Sequence, residues 1–273
     1  MTEMVWNRRV VRRKPHWTLV LRQQALAATT LAKGLWAQPG DASQSRFIVH
    51  SLGRSGSTML VDLMRGHPAV HCDGELLSHT LYVTTAERLI RTRARLYAGV
   101  AYGFKVRPRH YETQGVRDPH ALLARLVDDG WRVVHLERLN LLRLALSSLR
   151  LRETGVVHRT VQDRQEARRR LLVDIPQLRR RLEGAEEETA IERQALAGIP
   201  HLHLRYEEDL LPGGDVRDGA MARVFGYLGL TPAPVRTHYV RLSSDQLSDM
   251  VENLDELAAA LQGTPYERCL TAP

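Results

Sequence analysis

"RFIVHSLGRSGSTMLVDLMRGHP", residues Arg46 to Pro68, holds the reading on which the fold turns. The apolar run Phe47-Ile48-Val49 breaks into Gly53-Arg54-Ser55-Gly56-Ser57-Thr58, and Met59, Leu60, Leu63 and Met64 then recur at helical spacing until His67-Pro68. Strand, small-residue loop and helix in that order make a phosphate cradle. Gly53 and Gly56 let backbone N–H groups approach an anion, and the unpaired N–H groups of the helix start add partial positive charge. Ser55, Ser57 and Thr58 offer hydroxyl donors, and Arg54 a full charge. Small-residue turns of this kind also occur with no ligand, but strand before, helix after and a cation within favour one that binds.

Short β-like runs alternate with helical ones on either side of that stretch. Strands are expected at 46–51, 69–72, 102–107, 131–137 and 201–206. Asp118-Pro119 predicts a helix start, Asn140 can cap "LLRLALSSLRLRE", and Ser243-Ser244-Asp245-Gln246 forms a capping box opening a helix to about Leu261. Residues 159–197, broken by Pro176 and Gly184, are expected to form two or three exposed helices. Alternation of this kind predicts an α/β fold: a P-loop-like, open, mainly parallel sheet with helices on both faces.

The 273 residues suffice for one substantial core. Residues 1–45 are expected to be a basic N-terminal helical extension and linker, and 46–273 the main domain. Within the extension, "RRVVRRK" (8–14) precedes Trp17, Leu21, Ala25, Ala28, Ala32 and Leu35, spaced as one face of a helix. Two readings stand for residues 8–36: peripheral contact with a membrane or partner, or packing on the body with a solvated basic end. No apolar run is long enough to cross a bilayer, and no secretory signal is recognisable, so a cytoplasmic location is expected, with the membrane surface as the alternative. Cys72 and Cys269 lie far apart and form no metal-ligand spacing.

Net charge is +8, which favours polyanionic partners or a highly charged small ligand. Nucleic acid is not the expected partner, because the arginine-rich stretch 164–181 interleaves no aromatics and carries acidic residues. Only three lysines, Lys14, Lys33 and Lys105, stand among 39 basic residues, so Lys105 draws notice as a compact ammonium after a strand. An ATP-binding loop would carry lysine where Ser57 stands, and would be served by an aspartate ending a nearby strand to hold magnesium. The strand "WRVVHLER" ends instead in Glu137-Arg138, and an arginine there suits a second phosphate. Two anion sites on neighbouring strand ends, with no dedicated metal site, disfavour ATP chemistry.

"GRSGST" after a strand, followed by "HLERLNLLRLALSS", resembles the sulfotransferases that use 3′-phosphoadenosine 5′-phosphosulfate (PAPS). The likeness runs from Arg46 to Leu270 through "GFKV" (103–106), "LRYEEDL" (204–210), "VFGYLGL" (224–230) and the tail after Asn253. It is nearest to the bacterial carbohydrate-type members; the glycine-rich C-terminal signature of the animal cytosolic branch is absent.

The resemblance implies that the 5′-phosphosulfate lies in the loop Arg54–Thr58. It implies that Arg138 and a serine on the next helix hold the 3′-phosphate. In many members the serine follows by eight positions, but here that position is Leu146, so Ser147 is the choice over Ser148. Tyr206 and Glu207 match the family's "YEDL" element, taken as structural support.

Sulfuryl transfer needs positioning, charge stabilisation and a base for the acceptor proton. Arg54 is placed to meet charge on the leaving oxygen, and Lys105 either adds an ammonium or is a plain surface lysine. "HPAVHCDGELL" supplies His67, His71, Asp73 and Glu75 on the acceptor side. Glu75 matches the glutamate that carbohydrate-type relatives carry there and is the expected general base, the alternative being a loop glutamate paired with an arginine. The expected activity is therefore sulfation of a small-molecule, glycan or glycolipid hydroxyl from PAPS without a metal. The rivals are a P-loop small-molecule kinase and a non-catalytic basic protein binding nucleic acid or membrane.

Overall fold

The computed structural model describes residues 16–36, 45–154, 170–239 and 246–272. The basic cluster 8–14, the linker 37–44, the charged stretch 155–169 and the box residues Ser243 to Asp245 lie outside them. The described chain contains a five-stranded parallel sheet in the order β2-β3-β1-β4-β5. Its strands are β1 (Arg46–Ser51), β2 (Val70–Glu75), β3 (Ala101–Val106), β4 (Trp131–Glu137) and β5 (His201–Arg205). The central strand β1 is buried from Phe47 onward, as a strand covered on both faces must be.

Period-two alternation sorts the strand side chains onto two cores. Phe47, Val49, Cys72, Val134, Leu136 and Leu204 face one side, against α2 (Ser57–Arg65) and α8 (Gly214–Tyr227). Ile48, Tyr102, Phe104, Val106 and Val133 face the other. There they meet α1 (His16–Gly34), α3 (Ala86–Arg95), α4 (Pro108–Thr113), α5 (Pro119–Asp128) and α7 (Ile175–Leu196). A third cluster joins α6 (Leu141–Thr154), α7 and the tail helix α9 (Leu254–Leu261). The chain thus has the open parallel sheet with helices on both faces. Gly103 in β3 is required by close approach: a Cβ there would meet the Phe47 ring at 2.2 Å.

Two helix starts form as their caps predict. Asp118 accepts from the Ala121 N–H at 2.9 Å, and Asn140 Oδ1 accepts from the Arg143 N–H at 3.0 Å. The Asn140 amide also donates to the Cys269 and Ala272 carbonyls, so one side chain both caps α6 and holds the tail.

Other expectations need correction. Pro176 does not break a helix; it occupies the first turn of α7, whose cap Asp174 accepts from the Gln177 N–H at 3.0 Å. Gly184 is absorbed within that 22-residue helix. Nor is α7 simply exposed, for it buries Leu178, Leu182, Ala195 and Glu192. The tail helix begins at Leu254, because Asn253 spends its side chain on the Val173 N–H and C=O, tying the tail to the start of α7.

The largest revision concerns α1. Its buried side is Gln23, Ala27 and Thr30, with Ala27 in the core beside α3. Trp17, Leu21, Ala25, Ala28, Ala32 and Leu35, the face that one of the two readings packs on the body, are all exposed. Polar anchors decide the orientation. Gln23 Nε2 donates to the Leu76 carbonyl, and Gln24 donates to the Thr80 carbonyl at 2.6 Å while accepting from the Tyr82 N–H at 2.9 Å.

Candidate active site

The strands' carboxyl ends carry the loops, which is where an open parallel sheet places ligands. The β1–α2 loop is shaped by two positive φ angles. Gly56 has φ 91° and serves as N-cap of α2 with no side-chain cap, so the first N–H groups of that helix stay open to an anion. Arg54 has φ 66°, the one non-glycine with positive φ among the described residues. Holding a side chain there costs about 1–2 kcal/mol, and three contacts hold it.

The Arg54 carbonyl accepts from Arg138 Nη1 at 2.7 Å. The Arg54 guanidinium donates to Ser147 Oγ from Nε at 3.0 Å and from Nη2 at 2.9 Å. Arg54, Arg138 and Ser147 therefore meet at one spot between the ends of β1 and β4. Ser148, the alternative serine, turns back to the Leu144 carbonyl of its own helix at 3.0 Å.

Arg138 is well supplied with protein partners. Its guanidinium lies 4.8 Å over the Tyr206 ring, and Nε stands 3.6 Å from Glu207 Oε1. Glu207 also accepts from the Leu139 and Asn140 N–H groups, fixing the turn that launches α6. Tyr206 and Glu207 thereby brace the loop and the arginine, in a π-helical turn where the Leu211 N–H reaches back to the Tyr206 carbonyl at 2.8 Å. Against the Tyr206 ring lies Gly56, where a Cβ would stand 2.3 Å from a ring carbon. Gly56→Ala is expected to lower stability by about 2–4 kcal/mol, from combined backbone strain and overpacking, as measured by chemical denaturation.

The loop hydroxyls divide. Ser55 is fully buried and donates to the Leu52 carbonyl at 2.8 Å, so it shapes the loop and leaves only its backbone for a ligand. Ser57 is buried at the first position of α2, with Thr58 half-buried beside it.

On the other side of β1, the register of β2 on β3 shifts between Asp73 and Glu75, and this bulge sets Glu75 opposite Lys105. Glu75 thus lies at the end of β2 itself, which runs three residues beyond the expected 69–72. Its carboxylate is 3.0 Å from Lys105 Nζ and 3.7 Å from His110 Nε2. The Arg107 N–H donates to His110 Nδ1 at 3.3 Å, which leaves Nε2 as the protonated nitrogen pointing at Glu75. Burial would raise the Glu75 pKa, but the His110 N–H, the Lys105 ammonium and the Arg107 guanidinium together outweigh it and hold the carboxyl well below the usual range.

Arg107 and His110 complete the site and were not singled out in the sequence. The Arg107 guanidinium packs on the loop, where a Cβ on Gly53 would meet Nη2 at 2.4 Å, and it also approaches Glu188 of α7 at 3.7 Å. The signal was present: Lys105 and Arg107 are two apart at the end of one strand and so point to the same side.

The other acceptor-side candidates have structural partners. His67 bonds the Thr231 carbonyl through Nε2 and the Ala69 N–H through Nδ1, and so shapes the end of α2. Asp73 accepts from Arg93 and from Tyr102 Oη on the opposite face. His71 stacks on Tyr97 with centroids 3.8 Å apart. Glu137, at the end of β4, faces His203 at 3.0 Å and Arg205 at 3.7 Å.

Beneath the loop, His50 Nδ1 lies 3.1 Å from Glu192 Oε1, with His135 Nε2 at 3.2 Å from Oε2 but not aligned to donate. Burial lowers the His50 pKa, while at Glu192 the two imidazoles outweigh burial and hold the carboxyl low. A neutral imidazole donating to a carboxylate thus fastens α7 under β1. Both cysteines are buried and free, and burial pushes the Cys72 thiol up to about 12.

No protein-family model matches the sequence, and no curated protein matches it. Among solved structures, the chain is similar to that of mouse sulfotransferase SULT7A1 complexed with PAP, with 12% identity over 90% of this chain and 94% of that one and a TM-score of 0.35.

Proposed function

We propose that the chain is a sulfotransferase that moves a sulfuryl group from PAPS to a hydroxyl of a carbohydrate or glycolipid. One observation carries this reading. Arg54, Arg138 and Ser147 converge at the ends of adjacent strands, beside a helix start whose N–H groups have no side-chain cap. Two anion-holding groups, the open helix start and the Arg54–Arg138–Ser147 cluster, suit a nucleotide phosphorylated at both ends of its ribose better than a linear triphosphate.

In this reading the backbone of Gly56, Ser57 and Thr58 receives the 5′-phosphosulfate. The hydroxyl of Ser147 and the charge of Arg54 and Arg138 receive the 3′-phosphate. PAPS supplies an activated sulfur–oxygen bond. As the acceptor oxygen bonds to sulfur, the bond to the 5′-phosphate oxygen breaks and its electron pair stays on that oxygen. The loop N–H groups stand ready for the charge, and one such donor contributes roughly two to three decades in rate.

The acceptor proton passes to Glu75. Its ion pair with Lys105 makes it a weak base, and the Lys105 ammonium is the group that can change this. Drawn to the sulfuryl oxygens or the leaving oxygen, it leaves the carboxylate more basic as the proton needs a home. Lys105 thus serves as counter-ion before transfer and as charge stabiliser during it.

A thermal-shift titration with 3′-phosphoadenosine 5′-phosphate, run beside ATP with magnesium, tests the donor class. A saturating ligand at about a hundred times its Kd should raise Tm by roughly 5–10 °C. A shift with ATP and none with the bisphosphate would mean a kinase.

A further inference from the structure

We infer that α1 is a docking surface for an anionic bilayer, lying flat in the headgroup layer by its outward face. Gln23, Ala27 and Thr30 pin the opposite face to the body, and Gly34 sits so close to Thr92 that a Cβ would meet its methyl at 2.2 Å. The outward stripe therefore cannot turn in without undocking the helix. Trp17 is 62% exposed, Leu21 57%, Leu35 79% and Trp36 88%, with exposed Ala25, Ala28 and Ala32 filling the stripe between them. An apolar face about 28 Å long, from 19 residues at a rise of about 1.5 Å each, is left without cover among the described residues.

Charge decides what covers it. Between Glu3 and Asp41 there is no acidic residue, while Arg8, Arg9, Arg12, Arg13, Lys14, Arg22 and Lys33 supply seven cations. Nearly all of the chain's net charge of +8 thus falls in the sequence segment that carries this face, leaving the remainder close to neutral. Three of the four tryptophans, Trp6, Trp17 and Trp36, fall in the same segment, and indole favours the interface between headgroups and acyl chains.

An apolar stripe bounded by cations and tryptophan is the composition of an interfacial helix, and it supplies the two signals, apolar and polybasic, that stable anchoring needs. A nucleic acid would use the charge but leave Leu21 and Leu35 in water. Among the described residues no helix is long and apolar enough to cross a membrane, so the contact is peripheral. The exposed Tyr82 and Val83 stand beside the stripe, held through Gln24, in the segment that follows Glu75. Resting on the donor reading, this arrangement would bring hydroxyl-bearing amphiphiles at the bilayer surface to the base.

Co-sedimentation of the full chain with vesicles tests the docking without any reference to activity. With phosphatidylcholine vesicles containing phosphatidylglycerol, binding should exceed that to pure phosphatidylcholine by at least about tenfold and weaken as salt rises. Leu21→Glu with Leu35→Glu, both at exposed positions, should lower it by at least about tenfold with unchanged circular dichroism. Arg12→Glu with Arg13→Glu should do the same. Absence of binding to the anionic vesicles, or binding indifferent to the stripe substitutions, would overturn the inference. So would tight binding to a single-stranded RNA probe that survives them in a chain that ignores vesicles.

Discussion

Arg54→Ala is expected to abolish the thermal shift produced by 3′-phosphoadenosine 5′-phosphate and to lower turnover with PAPS by roughly two to three orders of magnitude. The size follows from where the guanidinium stands. It donates twice to Ser147 and so ties the β1 loop to α6, and its removal takes charge from the proposed 3′-phosphate site and loosens the loop proposed to hold the 5′-phosphosulfate. A companion substitution separates binding from folding. Arg54→Gly loses the same side chain but relieves the left-handed strain at φ 66°, and should be more stable than Arg54→Ala by about 1 kcal/mol in chemical denaturation while binding no better. The pair turns strain into a measurable quantity. An Arg54→Ala protein that keeps the wild-type shift would remove Arg54 from the donor site.

Much of this fold was legible because its signals are local. β1 and β4 form at their expected bounds, since continuous apolar runs ended by glycine or polar residues leave little choice of element. Asp118 and Asn140 likewise act within three residues of themselves. What could not be read depends on partners distant in sequence. The face of α1 is chosen by Gln23 and Gln24 reaching carbonyls more than fifty residues away, which overrides a cleaner apolar periodicity on the other side. The end of β2 is set by a bulge that exists only against β3. In the candidate site, loop chemistry pointed to Arg54 and the family resemblance to Ser147, but the inward turn of Ser55 and the brace formed by Tyr206 under Gly56 belong to tertiary packing. The contacts of Arg107 and His110 are of the same kind, because each matters through a group on another strand or loop.

Glu75→Gln should leave the thermal shift intact and lower turnover by roughly two to four orders of magnitude, since the amide keeps the shape but cannot take the acceptor proton. The pH dependence has a definite sign. The folded-state pKa of Glu75 lies below the ordinary carboxylate value, so the unfolded chain binds this proton first as pH falls. The carboxylate's contribution to stability is complete above about pH 5 and is lost as pH drops through the folded value. Glu75→Gln should flatten that part of the stability profile, measured by denaturation from pH 7 downward.

Lys105 supplies the control. The pair is close, with Lys105 Nζ 3.0 Å from the carboxylate, and Lys105→Met leaves Glu75 with burial and fewer cations to offset it. Its pKa should rise, and the acid limb of the turnover profile should move to higher pH in step. A bystander glutamate would give a different result: Lys105→Met would change the rate without moving that limb, and Glu75→Gln would turn over at the wild-type rate. The two measurements together distinguish a carboxylate that accepts the proton from one that only neutralises its neighbours.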